Sequence, residues 1–265
     1  MRKTAVAVAF GAAAGTYEDD AHLQRLVAIR LFRRISALLS AAPPLPGPPH
    51  ILEIGCGTGF LTRSLRQYRQ DAELLVTDLS APMVAQCRRH LGDAPGTTFL
   101  VMDGEQPCVR PPRAGFDLVC ASLALQWFGD PAGALAAWAE LLRPGGHLAF
   151  ATLAAGSLAE WRAAHTALGL GAGVPDYPTA ERLAMLWPSR GHGHIQIEPI
   201  SCVYPDGHAF LSGLRRIGAH LAVPDRRPLS PGALRRVLRQ VSRPAGFAVT
   251  YQVAYGWFQK DDLLA

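Results

Sequence analysis

Glycines and carboxylates fall where a chain could cradle a small charged ligand. The run Glu53-Ile54-Gly55-Cys56-Gly57-Thr58-Gly59 closes a short apolar stretch. Glycines there let the chain turn tightly and let a ligand touch the backbone. The segment after them reads as a helix, whose first turn offers NH groups to a negatively charged group. A dinucleotide fingerprint would space its glycines G-x-G-x-x-G around a pyrophosphate. Here the third glycine comes two residues after the second, and Glu53 precedes the first. A carboxylate so close would repel a pyrophosphate; it suits a ligand with a cationic end, such as an amino or sulfonium group. Asp78 lies about 20 residues beyond the glycines, where an acid accepts hydrogen bonds from both hydroxyls of a ribose. Asp103-Gly104-Glu105 follows the third apolar stretch, where a carboxylate can accept from an adenine amino group. Each acid alone reads more readily as a solvated loop end. Three of them in this order at successive strand ends converge at the switch point of a parallel sheet.

The elements that must position these residues alternate along the chain. Strands are expected at His50–Ile54, Glu73–Thr77, Thr98–Val101, Phe116–Ala121 and His147–Thr152. Helices are expected between them at Leu61–Tyr68, Pro82–Leu91 and Pro131–Leu142. This alternation predicts an α/β fold, a parallel sheet with helices on both faces and right-handed crossovers. Before the core, residues 1–49 read as an N-terminal helical lid and a linker. Apolar residues recur at helical spacing over Ala21–Leu39, and Pro43, Pro44, Pro46, Pro48 and Pro49 stiffen the linker after them. Residues 50–155 form the ligand-binding core. Residues 156–196 read as a helix, Leu158–Leu168, and a covering segment. Residues 197–265 complete the same sheet with strands at Ile197–Val203 and Ala248–Phe258 and helices at Phe210–Ile217 and Pro231–Val241.

Composition sets outer bounds. The 265 residues are 49% hydrophobic and 18% charged, which suits one or two globular domains. No run approaches the ~18 uncharged apolar residues of a membrane span. The five cysteines are widely spaced with no CxxC pair, which argues for a reducing compartment and against a metal or disulfide framework. The net charge is +5, with only two lysines, Lys3 and Lys260, and the arginines stand in ones and twos rather than in a nucleic-acid-binding block. The start, Met1-Arg2-Lys3 followed by AVAVAFGAAAG, mimics a secretory leader. Its shortage of leucine and its direct run into Tyr17 and the long helix favour a retained segment and a cytoplasmic chain. Gly191-His192-Gly193-His194 has no carboxylate or cysteine at ligand spacing, so it reads as a solvated loop and no metal site is expected.

The stretch 50–152 resembles the class I S-adenosylmethionine-dependent methyltransferases, and Leu142-Arg143-Pro144-Gly145-Gly146, a helix stop and turn, is a further mark of them. The resemblance implies a Rossmann-like seven-stranded sheet whose last strand is antiparallel, and S-adenosylmethionine as methyl donor. It implies that Gly55, Gly57 and Gly59 line the methionine portion, with Glu53 beside them, and that Asp78 holds the ribose. Leu79 and Met83 would flank the adenine, whose edge Asp103 and Gly104 would read.

Three further segments narrow the resemblance: Ala9-Phe10 through Tyr17-Glu18 to Gln24; Ser122-Leu123-Ala124-Leu125-Gln126-Trp127-Phe128; and the C-terminal runs Leu214–Ala219, Leu229–Pro231 and Val249–Gly256. Together they are similar to the malonyl-[acyl-carrier protein] O-methyltransferases of biotin synthesis. That family commonly has Ser-Asn-Leu where this chain has Ala121-Ser122-Leu123, which shortens the polar side chain expected to meet the cofactor. By this resemblance Tyr17 closes the site as a lid residue, and Gln126 and Trp127 wall the pocket beside the methyl group. The acceptor would be a malonyl thioester on an acyl-carrier protein or on coenzyme A, with no nucleic-acid or membrane partner. An arginine, one of Arg162, Arg182, Arg215, Arg216, Arg226 and Arg227, would hold its carboxylate or thioester region. The chemistry fits: a carboxylate with pKa near ~4 is already ionised at neutral pH and needs no general base. Other readings on the same residues are a small-acid or quinone-ring methyltransferase and a non-catalytic S-adenosylmethionine-binding partner. A nicotinamide dehydrogenase is disfavoured by the glycine spacing.

Overall fold

Apolar residues that alternate along each strand become the two faces of one sheet. In the strand His50–Ile54, Ile51 packs into one core and Leu52 and Ile54 into the other. In the strand Phe116–Ser122, Leu118 and Cys120 face the first core, Val119 and Ala121 the second. This period-2 pattern buries both faces, which an all-parallel arrangement requires. The computed structural model describes residues 2–41, 47–220 and 229–262. Pro43, Pro44 and Pro46 of the expected linker, and Arg226 and Arg227, lie outside the described residues.

The chain opens with three helices, α1 (Arg2–Ala13), α2 (Tyr17–Asp20) and α3 (His22–Ala41). The core follows as β1 (His50–Ile54), α4 (Phe60–Tyr68), β2 (Glu73–Asp78), α5 (Ala81–Leu91), β3 (Thr97–Val101) and β4 (Phe116–Ser122). A 3-10 turn (Leu125–Trp127) leads to α6 (Pro131–Leu141) and β5 (Leu142–Leu153). The remainder is α7 (Ala159–Thr166), α8 (Ala180–Ala184), β6 (Gly191–Tyr204), α9 (Gly207–Arg216), α10 (Pro231–Val241) and β7 (Phe247–Lys260). The seven strands lie in the order β3-β2-β1-β4-β5-β7-β6. β1 to β5 pair in parallel, and β7 is antiparallel to both β5 and β6. The expected antiparallel last strand is present, inserted between its predecessors. Strand order reverses between β1 and β4, which opens a crevice at the carboxyl ends of these strands.

Two local expectations change. Gly191-His192-Gly193-His194 is not a solvated loop: it begins β6, paired with Lys260 to Trp257 of β7. Its glycines make room for aromatic rings, since a Cβ on Gly193 would lie 2.5 Å from the Trp187 indole, which stacks on Phe258 at 5.6 Å. The run Leu142–Gly146 is more than a helix stop, for it starts β5 through an irregularity that sets Phe116 opposite Leu142 and Leu118 opposite His147. Residues 2–13, leader-like in sequence but expected as part of the N-terminal helical lid, form a helix laid against α5. Among the described residues no helix is long and apolar enough to cross a membrane.

Candidate active site

The crevice deepens into a cavity of about 820 Å³. Its floor is the glycine loop after β1 and the ends of β2 and β4; its roof is α1 and α2; its far wall is the segment 172–177 with α9 and β7. Tyr17, Gln126, Trp127, Glu53, Gly55, Gly57, Asp78, Leu79, Met83, Asp103, Gly104, Ser122 and Leu123 all line it. Gly59 does not: a Cβ there would meet Cys87 Sγ at 2.7 Å, so its bare backbone serves the close approach of α5.

At the floor, Gly57 has φ +54 and nothing within 4 Å of a built Cβ, so the backbone lies open to a ligand. Asp78 accepts hydrogen bonds from the Gly57 and Ser80 backbone NH groups at 2.9 and 2.8 Å, which ties the loop to the end of β2. Burial raises its carboxyl against the pull of these donors. Glu53 is buried beneath the loop and accepts from the Thr62 hydroxyl at 2.7 Å. Burial pushes it up to about 7, opposed by Thr62 and reinforced by the charge of Asp78. A buried carboxyl of this kind is poised to ionise when a cation arrives. The buried Ser80 hydroxyl on the same wall has no partner among the described residues, a polar atom left for a ligand.

At the other side of the floor, Gly104 packs so tightly on β1 that a Cβ would lie 2.2 Å from Ile54 Cγ2. Asp103 accepts from Lys3 Nζ at 2.6 Å, and the same ammonium lies 2.9 Å from Glu105. Sequence reasoning missed Lys3 because it counted only as part of a leader-like start. The contact straps the beginning of α1 over the end of β3.

The roof is held by packing and polar contacts. Phe10 of α1 meets Trp127 edge-on at 5.3 Å, and the buried Tyr17 ring lies 6.4 Å from Phe60. Burial raises the Tyr17 hydroxyl, with the charges of Asp78 and Glu18 adding to it, so it stays protonated as a donor. Glu18 Oε1 accepts from Thr58 Oγ1 at 2.8 Å and Arg63 at 3.0 Å, and stands 3.0 Å from His90 Nδ1. Burial alone would raise this carboxyl, but Thr58 and Arg63 hold it below its usual range. Leu123 and Leu158, the non-glycine residues with positive φ among those described, both line the cavity. Strain of this kind collects where surrounding structure holds a turn for function. Gln126 holds the Leu123 turn, donating to the Leu123 carbonyl at 2.8 Å and accepting from Thr152 Oγ1 at 3.1 Å.

The far end is aromatic. Trp161, Phe210 and Tyr177 line it with Tyr204 and Tyr251, whose hydroxyls lie 3.3 Å apart. Burial raises Tyr177 to about 12 and raises Tyr204 and Tyr251 as well, so these phenols remain neutral donors. They come from separated segments of 177–251, and no local spacing announces them. Of the described candidate arginines, Arg215 lines the cavity. Arg162 turns to Asp176 and Pro175, Arg216 to Asp20, and Arg182 lies outside the lining.

Comparison with known proteins bears on this geometry. Residues 52–148 match the family model for a methyltransferase domain. The chain is 44% identical to a malonyl-[acyl-carrier protein] O-methyltransferase of Magnetococcus marinus, over 92% of this chain and 88% of that one. It is 44% identical to a biotin biosynthesis bifunctional protein of Bordetella avium, over 96% of this chain but 52% of that longer protein. A malonyl-[acyl-carrier protein] O-methyltransferase of Pseudescherichia vulneris is 32% identical over 98% and 99% of the two chains. Among solved structures, the YcgJ protein of Bacillus subtilis shares the fold at TM-score 0.58 and 14% identity, over 86% of this chain and 97% of that one. The plantazolicin methyltransferase BpumL, solved with S-adenosylhomocysteine, does so at 0.53 and 15%, over 98% and 97%.

Proposed function

Because the chain belongs to the malonyl-[acyl-carrier protein] O-methyltransferases, we propose that this cavity methylates the free carboxylate of a malonyl thioester and that its lining residues divide into a donor end and an acceptor end. The carrying observation is the shape of the site: a carboxylate-lined glycine crevice opens into one aromatic chamber ended by neutral phenols.

The donor is S-adenosylmethionine, and when bound it supplies an electrophilic methyl on a cationic sulfur. The residues present fit it. Asp78 accepts from the ribose hydroxyls, Asp103 from the adenine amino group once Lys3 shares it, and Leu79 and Met83 flank the base. Glu53 supplies negative charge below the glycine loop for the cationic end, while Gly55 and Gly57 let the ligand reach the backbone and Ser80 offers its unpartnered hydroxyl. Gln126 and the strained Leu123 turn form the wall between donor and acceptor, with Ser122 beside them.

At the acceptor end, Tyr204, Tyr251 and Tyr177 donate hydrogen bonds to the thioester and malonyl oxygens, and Arg215 balances the carboxylate charge from the rim. An ionised carboxylate needs no base at neutral pH. The chain's work is therefore alignment and the exclusion of water. Holding two reactants in line is worth on the order of 7–11 kcal/mol. Tyr17, Phe10 and Trp127 close the roof and keep the chamber dry, which strengthens every charge interaction inside it. The malonyl group arrives on an acyl-carrier protein rather than on coenzyme A.

Incubation with methyl-labelled S-adenosylmethionine and malonyl-acyl-carrier protein tests the reading. Label that leaves as methanol on mild alkali is expected from a methyl ester. Alkali-stable label, on carbon or nitrogen, refutes the assignment.

A further inference from the structure

The net charge of +5 is uneven along the chain: residues 207–246 hold eight arginines and one carboxylate, whereas the rest holds 18 basic and 20 acidic side chains. The described residues of the stretch 207–246 carry Arg215, Arg216, Arg235, Arg236, Arg239 and Arg243 and no carboxylate. Elsewhere arginines are interspersed with carboxylates, and several pair with them. Arg25 and Arg63 meet Glu18, Arg30 and Arg34 meet Glu198, Arg69 meets Asp71, and Arg143 meets Asp117. In the basic stretch Arg216 meets Asp20, and the other five meet no carboxylate among the described residues.

The helix pattern sets three of them on one side of α10. α10 buries Ala233, Val237, Leu238 and Val241 and leaves Arg235, Arg236 and Arg239 exposed. The start of α9 packs on the end of α10, where a Cβ on Gly207 would come within 2.8 Å of Val241 and Leu238. The other end of α9 supplies Leu214 and Arg215 to the wall of the acceptor chamber. One helix pair thus carries both the basic face and part of the rim of the site.

We propose that the exposed face of α9 and α10 is the docking surface for an acidic protein that carries the malonyl thioester, whose acyl arm enters the cavity past Arg215. This rests on the function proposed for the cavity. Like charges gathered on one face repel each other, and a partner rich in carboxylates relieves that repulsion. Their summed field reaches about 8–10 Å at physiological salt, enough to orient an approaching carrier. Nucleic acid would feel the same field, but this face adjoins a closed small-molecule chamber.

The test pairs Arg235→Glu/Arg236→Glu with the wild type in two assays. Fluorescently labelled holo-acyl-carrier protein should bind the variant at least tenfold more weakly, and wild-type binding should weaken steeply from 50 to 500 mM NaCl while the variant's changes little. In methyl transfer, kcat/KM for malonyl-acyl-carrier protein should fall at least tenfold, with that for malonyl-N-acetylcysteamine, which has an uncharged tether, unchanged. The neutralising pair Arg235→Gln/Arg239→Gln should give a smaller loss of the same kind, which guards against misfolding of the reversed variant. Unchanged carrier binding in both variants overturns the docking surface, as does an equal loss on both thioesters. RNA or duplex DNA that binds the wild type through these arginines without competing with the carrier overturns it too. A wild type that methylates neither thioester refutes the proposed function instead, while the binding assay still decides the surface.

Discussion

Replacing Glu53 with glutamine separates the burden this residue places on the fold from its service to the ligand. The carboxyl is buried and its pKa is pushed from 4.5 to about 7, chiefly by burial. The unfolded chain releases the same proton near its ordinary value. Between the two pKa values each pH unit costs the folded state ~1.4 kcal/mol, so ~3 kcal/mol is lost by pH 8. The sign follows from the raised folded value: stability falls as pH climbs through this window and levels above about 7. Glutamine has no proton to lose and its carbonyl still accepts from Thr62. Glu53→Gln should therefore match the wild type at pH 4.5 and exceed it at pH 8 by roughly 6–12 °C in Tm, at 2–4 °C per kcal/mol for a chain of this length. Ligand binding should run the other way. A cationic ligand favours the ionised carboxylate, so wild-type S-adenosylmethionine binding at pH 6 should release close to one proton, and at pH 8 almost none. Calorimetry in buffers of different ionisation enthalpy reads this directly. The variant should show no such release from this site and should bind more weakly by ~1.5–3 kcal/mol, the range for a charged hydrogen bond. Parallel Tm–pH curves for the two proteins refute the burial argument, and undiminished affinity of the variant at pH 8 refutes the role in binding.

Four further outcomes are expected. Tyr17→Phe should lower kcat more than it weakens S-adenosylmethionine binding if the hydroxyl orients the acceptor; an unchanged kcat leaves the ring as roof packing alone. Glu18→Ala removes the acceptor that Thr58, Arg63 and His90 face and should raise the KM for S-adenosylmethionine several-fold, whereas an unchanged KM and an unchanged rate of hydrogen exchange in α2 would show that the latch does not govern closure. Gly57→Ala meets open space and should fold with a penalty of ~1–2 kcal/mol from its positive φ, yet lose most S-adenosylmethionine binding; Gly104→Ala drives a methyl into Ile54 and should lower Tm before anything else, both read by thermal melts with and without ligand. Tyr204→Phe and Tyr251→Phe should each raise KM for the malonyl thioester while sparing S-adenosylmethionine affinity in calorimetry, because these hydroxyls lie at the aromatic end of the cavity, away from the glycine loop.

Much of the crevice around the glycine loop was legible in the chain because it is local. The glycine loop, Asp78 and Asp103 each sit at the end of a strand, and strand ends announce themselves by where apolar alternation stops. The parallel sheet followed from the same alternation, and the family resemblance added the antiparallel last strand and the lid. The features that escaped depend on which distant atoms fill a space. Gly59 and Gly193 read alike as loop glycines, but one makes way for Cys87 and the other for Trp187. Lys3 becomes part of the site only because α1 folds back over β3, 100 residues away. Tyr177, Tyr204 and Tyr251 meet in one chamber although nothing in their spacing relates them. The arginines looked scattered because α9 and α10 gather them only after their apolar sides are buried against the core. Local pattern is written in neighbouring residues, so the chain by itself determined the sheet and the glycine loop. Burial, pairing and electrostatic field arise from residues brought together across the chain, so only the tertiary structure decided the aromatic chamber, the raised carboxyl of Glu53 and the basic face.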